Sequence, residues 1–147
     1  MSKYKLTEEI ISLSNSDNWD LAKLEWKLDE IYEAEDPDTC LCGHFPIVEI
    51  CVLVNKLNGH STIVGNSCVK KFLGLSSDKI FQAIKRVRKD NTKALNSESI
   101  QYAFDRQWLN EWEKNFYIDI MRKRTLTDNQ LKKKIQINTK ISRNMKK

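Results

Sequence analysis

Cys40, Cys42, Cys51 and Cys68 are the only thiols in the chain, and His44 and His60 the only imidazoles; all six lie in one short interval. Gly43, Gly59 and Gly65 lie there too, while the flanks contain neither thiol nor imidazole. Cysteines serving as small core hydrophobes would scatter through both flanks. Clustered thiols and imidazoles are instead the donor set of a structural zinc ion. Such an ion is held tetrahedrally by four cysteines, or by three cysteines and a histidine, with bonds of about 2.0–2.3 Å. Cys40-Leu41-Cys42-Gly43 is a tight turn with two thiolates and a glycine free to take positive φ. A disulfide is a poor alternative, because Cys40 and Cys42 are too close in sequence to bridge comfortably.

The elements that must position these ligands follow from the residues between them. Ile47 to Asn55 is rich in Ile and Val and predicts a strand. Asn58-Gly59 predicts a two-residue turn, with His60 to Val64 returning as the second strand. Gly65-Asn66-Ser67 leads into a short helix from Cys68 to Leu73, stopped by Gly74. Such a hairpin puts Cys51 at its base, opposite Asn66 or near Ile63, beside the Cys40–Cys42 turn and Cys68. His60 sits at the tip, well over roughly 10 Å away at about 3.3 Å per strand residue. The expected ligands are Cys40, Cys42 and Cys68, with the fourth either Cys51 or His44.

The order CxCG, strand, a turn of NxxNG type, then VGxxCVxxF resembles a zinc-binding module of small, largely uncharacterised bacterial and phage proteins. Trp19, Ala22, Glu25-Trp26 and Ile31-Tyr32 ahead of it, and Lys70-Lys71-Phe72-Leu73-Gly74 after it, extend the resemblance into both flanks. The resemblance implies metal binding and no agreed activity. The order of turn, hairpin and helix also resembles a treble clef. This helix offers one cysteine where a treble clef usually offers two ligands, so a further ligand must come from the strand or the turn.

Around this module the sequence predicts helices, giving an α+β, mostly helical single domain with a treble-clef-like, zinc-stabilised β-hairpin between helical arms. Residues 1–39 form an acidic arm with 4 Lys/Arg against 11 Asp/Glu. Residues 40–75 are the zinc module, and residues 76–147 a basic region with 18 Lys/Arg against 8 Asp/Glu. In the first arm a short helix starts at Thr7. A longer one starts at Asp17 or Asn18, carries the stripe Leu21, Leu24, Leu28, Ile31, and stops before Pro37. The acidic run from Glu33 to Asp38 is expected to be a solvated face and loop.

In the basic region, Ser76-Ser77-Asp78 caps a helix to Lys89 with Ile80, Phe81, Ile84 and Val87 inward. Ser97 caps the longest helix, to about Lys123. Its stripe of Ile100, Phe104, Trp108, Trp112, Phe116 and Ile120, with Leu109, Tyr117 and Met121 alongside, is expected in the core rather than as a base-stacking platform. Thr127 and Gln130 form a capping box for a last helix from Asp128 to about Arg143, with Leu131, Ile135, Asn138 and Ile141 or Met145 on one side.

Several function classes are disfavoured. There is no apolar run long enough for a membrane span and no signal-peptide h-region, so the expected location is a reducing cytoplasm, where thiolates stay free for metal. No Ser-His-Asp, Cys-His or glycine-rich phosphate loop stands out, and a four-ligand zinc is closed to substrate; no enzyme is expected. The basic half points to phosphate contacts without sequence readout. The candidates are Lys70, Lys71, Lys85, Arg86, Arg88, Lys89, Arg122, Lys123, Arg124, Lys132, Lys133 and Lys134. The alternative is an adaptor or phage-type host-factor modulator that binds a protein partner through the same charges.

Overall fold

A computed structural model describes residues 2–73 and 77–147. Gly74 and Ser76, the expected helix stop and part of the expected cap, lie outside the described residues. The chain is α+β and divides into two compact units. The first comprises the residues up to Asp78 together with Lys147; the second is Lys79–Lys146.

In the first unit, helix α1 spans Ser2–Ser12, beginning ahead of the expected Thr7. Helix α2, Trp19–Ala22, is capped by the Asn18 side chain and passes through a 3-10 turn, Lys23–Glu25. There the expected long helix fails. Trp26–Asp38 is a strand, β1, pairing antiparallel with β2, Ile47–Asn55, which pairs antiparallel with β3, Ser61–Gly65. Leu21 and Leu24, assigned to a core stripe by their spacing, are 59% and 65% exposed. The helical spacing of the remaining two, Leu28 and Ile31, comes from a bulge. Leu28 faces Leu53 while Glu30 faces Val52, so β1 carries an extra residue there. Trp26 and Leu28 alternate as in a strand, and the bulge stretches the next interval, to Ile31, to three residues, which imitates a helical step. The acidic run is strand as well, not loop, with Pro37 tolerated because β1 is an edge strand and its register is irregular between Glu33 and Asp38.

Ile31, Cys51 and Val64 are cross-strand neighbours and all buried, so one row of the sheet core runs through a cysteine. The free edge of β1 is partly covered by Lys147. The Lys147 N–H donates to the Glu33 carbonyl at 2.9 Å, and the Glu35 N–H donates to the Lys147 carbonyl at 2.8 Å. Its ammonium pairs with Glu30 and lies 5.2 Å from the centroid of the Tyr32 ring.

The hairpin tip differs from a two-residue turn. The Asn55 N–H donates to the His60 carbonyl, and the Asn55 side-chain oxygen accepts the Leu57 and Asn58 N–H groups. Gly59 has φ +78°, a conformation that favours glycine. Buried Glu25 ties this tip to the turn after α1. It accepts from the Asn55 side chain and from the Asn15 and Ser16 N–H groups, each at 2.8 Å. Those bonds, the Asn55 amide first, hold its pKa below the ordinary glutamate value of 4.5. A depressed carboxylate contributes stability above the unfolded-state pKa and loses it as pH falls through the folded-state pKa. Glu25→Gln should therefore lower the unfolding midpoint at neutral pH and flatten its decline below about pH 4.5. Urea midpoints from pH 7 to pH 3 check this; parallel profiles for the two proteins would contradict it.

The second unit holds α4 (Asp78–Lys89, whose first residue belongs to the first unit), α5 (Ser97–Asp105), α6 (Glu111–Ile120) and α7 (Asp128–Asn144). The bounds and inner face of α4 are those expected, with Ile80, Phe81, Ile84 and Val87 buried. The expected long helix after Ser97 is two helices. Gln107 takes φ 65°, and Asn110 and Glu113 form a new capping box. The break resets the helical phase. Leu109, Tyr117 and Ile120 go inward while Trp112, assigned to the core, is 60% exposed. On α7 the Thr127–Gln130 box forms as expected. Its buried residues are Lys134, Ile137, Asn138 and Ile141, whereas Leu131 and Ile135 are half-exposed.

Candidate metal centre

The Cys40–Cys42 turn is built by backbone bonds. The Cys40 N–H donates to the His44 carbonyl at 2.9 Å, and the Gly43 N–H to the Cys40 carbonyl at 2.7 Å. Gly43 has φ +94°, which a side chain would strain. The Leu41 N–H donates to the Ile63 carbonyl at 3.1 Å, which fastens the turn to β3. At the end of β3, the Gly65 N–H donates to the Cys40 sulfur at 3.3 Å. Gly65 is buried, and a Cβ there would come within 3.2 Å of the Ile47 side chain, so glycine lets the chain pass close to β2. A short helix, α3 (Asn66–Cys68), follows at once and widens into a π-helical turn, Val69–Leu73. This delivers Cys68 to the turn, with its sulfur 3.6 Å from that of Cys42.

Cys40, Cys42 and Cys68 form the group able to hold a metal ion among the described residues, their sulfur atoms all within 4.8 Å of one another. Tetrahedral bonds of about 2.3 Å require sulfur–sulfur separations of about 3.8 Å, close to the 3.6 Å of Cys42 and Cys68. Cys40 and Cys42 are buried and Cys68 half-buried. Burial, and then the nearness of the other thiols, pushes the Cys68 pKa strongly upward; burial raises that of Cys40 against the Gly65 and Cys42 amides. A divalent cation supplies the charge that reverses this balance and favours thiolates.

Compared with protein families, with curated proteins and with solved structures, the chain matches none.

Neither Cys51 nor His44 belongs to the three-sulfur group. Cys51 ends a buried polar chain. Its thiol donates to the Ser77 hydroxyl at 3.4 Å, and Ser77 donates to the Asn66 side-chain oxygen at 2.5 Å. The Asn66 amide donates to Asp78 at 3.2 Å, and Asp78 pairs with Lys70 at 3.1 Å. Burial pushes the Cys51 thiol up to about 11. The His44 imidazole is exposed, although its carbonyl holds the turn. His60 lies at the hairpin tip, with a ring nitrogen 3.1 Å from the Leu13 carbonyl.

The expected phosphate contacts differ in exposure and in partners. Lys71, Lys85, Lys89, Arg122, Lys123, Arg124 and Lys132 are exposed. Arg86 is also exposed but donates to the Ala94 carbonyl. Lys70 pairs with Asp78, and Arg88 donates to the Ser142 hydroxyl and carbonyl. Lys133 is half-buried, 3.8 Å from Glu113. Lys134 is buried, and desolvation lowers its pKa. Arg88 and Lys134 therefore serve the packing of the second unit. Spacing carries no hint of this, since Lys132, Lys133 and Lys134 are consecutive and only helix phase separates them.

Proposed function

We propose that this is a zinc-stabilised nucleic-acid-binding protein of a reducing compartment such as the cytoplasm, contacting phosphates without reading sequence and performing no catalysis. Convergence of the Cys40, Cys42 and Cys68 sulfurs supports the metal. Zinc suits a small tetrahedral thiolate site, where it holds the hairpin and α3 together in the manner of a treble clef. His44 is the better fourth ligand. Its side chain is exposed within two residues of Cys42, whereas Cys51 would have to give up its bond to Ser77. Metal content of His44→Ala and Cys51→Ala distinguishes the two; loss of zinc from the second with retention in the first would reverse the assignment.

The exposed cations of the second unit carry the nucleic-acid reading. Lys79–Lys146 holds 17 Lys/Arg against 7 Asp/Glu, and Arg122, Lys123 and Arg124 stand exposed together between α6 and α7. Replacing these three with serine should lower the dependence of log affinity on log salt by about two to three, at about 0.9 per lost contact on duplex DNA. Binding isotherms for labelled duplex at several salt concentrations measure it. Dissociation constants weaker than roughly 10⁻⁴ M at physiological salt would remove the reading. In that event the acidic edge of β1, which already pairs with a lysine through main chain and side chain, favours a protein-binding adaptor.

A further inference from the structure

We infer that Trp112 and Phe116 form a stacking platform for a single-stranded nucleic acid; the inference rests on the phosphate-binding reading of the second unit and makes it strand-specific. Trp112 and Phe116 are one helical turn apart on α6. Their rings are stacked, with centroids 5.2 Å apart and planes 11° from parallel. Trp112 is 60% exposed, so most of this large ring still faces water despite its stack on Phe116. Every base presents a π-face, so such a platform takes any sequence, which duplex DNA denies because its bases are already stacked.

Charge selects a polyanion over an apolar peptide. The Lys133 ammonium lies 5.5 Å from the Trp112 ring centroid and 3.8 Å from Glu113. Lys140 also pairs with Glu113, at 3.3 Å, so this buried carboxylate holds two lysines beside the platform. Lys133 thus stands between the Trp112 ring and a carboxylate that it shares with Lys140. An arriving strand gives it a phosphate in exchange, which frees the ring face for a base. The pattern repeats nearby. Lys114 lies 4.3 Å from the Phe104 centroid, and Arg106 lies 6.0 Å from that of Tyr102. Rings with attendant cations are the combination that single-strand binding uses: stacking for the bases, ammonium and guanidinium for the backbone.

The test uses the full chain with two fluorescent probes of equal length, an oligothymidylate and a duplex of mixed sequence. Trp112→Ala should weaken oligothymidylate binding roughly five- to 150-fold, the range for one lost base stack. Duplex affinity and the salt slope should stay unchanged, and Trp112→Phe should keep most of the affinity. An unchanged melting temperature in Trp112→Ala checks that the fold is intact, as exposure of this side chain leads one to expect. Unchanged oligothymidylate affinity in Trp112→Ala would overturn the platform and leave phosphate binding standing. Failure of the wild-type chain to bind either probe would overturn both. Altered self-association of Trp112→Ala with unchanged oligothymidylate affinity would assign the rings to a protein contact and also overturn the platform.

Discussion

Cys68→Ser should leave the purified chain with far less than the one equivalent of zinc expected of the wild type, and should unravel the cysteine turn. A serine hydroxyl does not ionise near neutral pH and cannot replace a thiolate ligand. Structural zinc in small peptides is worth about 10–16 kcal/mol of apparent binding free energy, all of it folding free energy where no site preforms. Here the three-stranded sheet supplies part of the frame, so the loss should be local. The Leu41 and Gly65 amides, which bond to Ile63 and to the Cys40 sulfur, should lose protection from hydrogen exchange. Cys51→Ser is the control, because that thiol donates to Ser77 outside the three-sulfur group. Metal analysis and exchange rates read the outcome. Full zinc content in Cys68→Ser, or equal loss in both variants, would refute this ligand set.

Asn138→Leu should destabilise the second unit by about 3 kcal/mol or more, although leucine has the same branched skeleton and a higher helix propensity. Asn138 is buried, and its amide donates to the Asn91 and Lys93 carbonyls, each at 2.9 Å. Its oxygen accepts the Tyr117 hydroxyl at 2.6 Å, and that hydroxyl accepts the Leu95 N–H at 2.9 Å. One amide therefore joins α6, α7 and the connection between α4 and α5. Leucine would strand two carbonyls and the tyrosine hydroxyl. Burial already pushes Tyr117 up to about 12, so the phenol cannot relieve the loss by ionising near neutral pH. Tyr117→Phe should cost less, since it leaves the Asn138 amide bonded to both carbonyls. Urea unfolding of the three proteins provides the comparison; an Asn138→Leu protein as stable as wild type would show that water satisfies these groups.

Local signals determined much of this protein by themselves. Clustering of thiols around CxCG and Cys68 pointed to the three sulfurs that converge, because short turns and a hairpin leave little freedom in how such residues meet. Helix α4 and the capping box of α7 were legible for the same reason: caps and apolar stripes act within a few residues. The Asn110–Glu113 box is equally local, but the four-residue spacing of aromatics across it imitates one continuous helix.

Tertiary structure alone decided the rest. In β1 a bulge and pairing with β2 turned a helix-like spacing into a strand, since hydrogen bonds to a partner strand outweigh the few tenths of a kcal/mol per residue in helix propensity. The phase reset at Gln107 moved Trp112 from expected core to surface. Among Lys132, Lys133 and Lys134, only packing against the rest of the second unit made one exposed, one half-buried and one buried. Residue type sets what each side chain can do; burial and partners, which depend on long-range packing, set which of them remain available to do it.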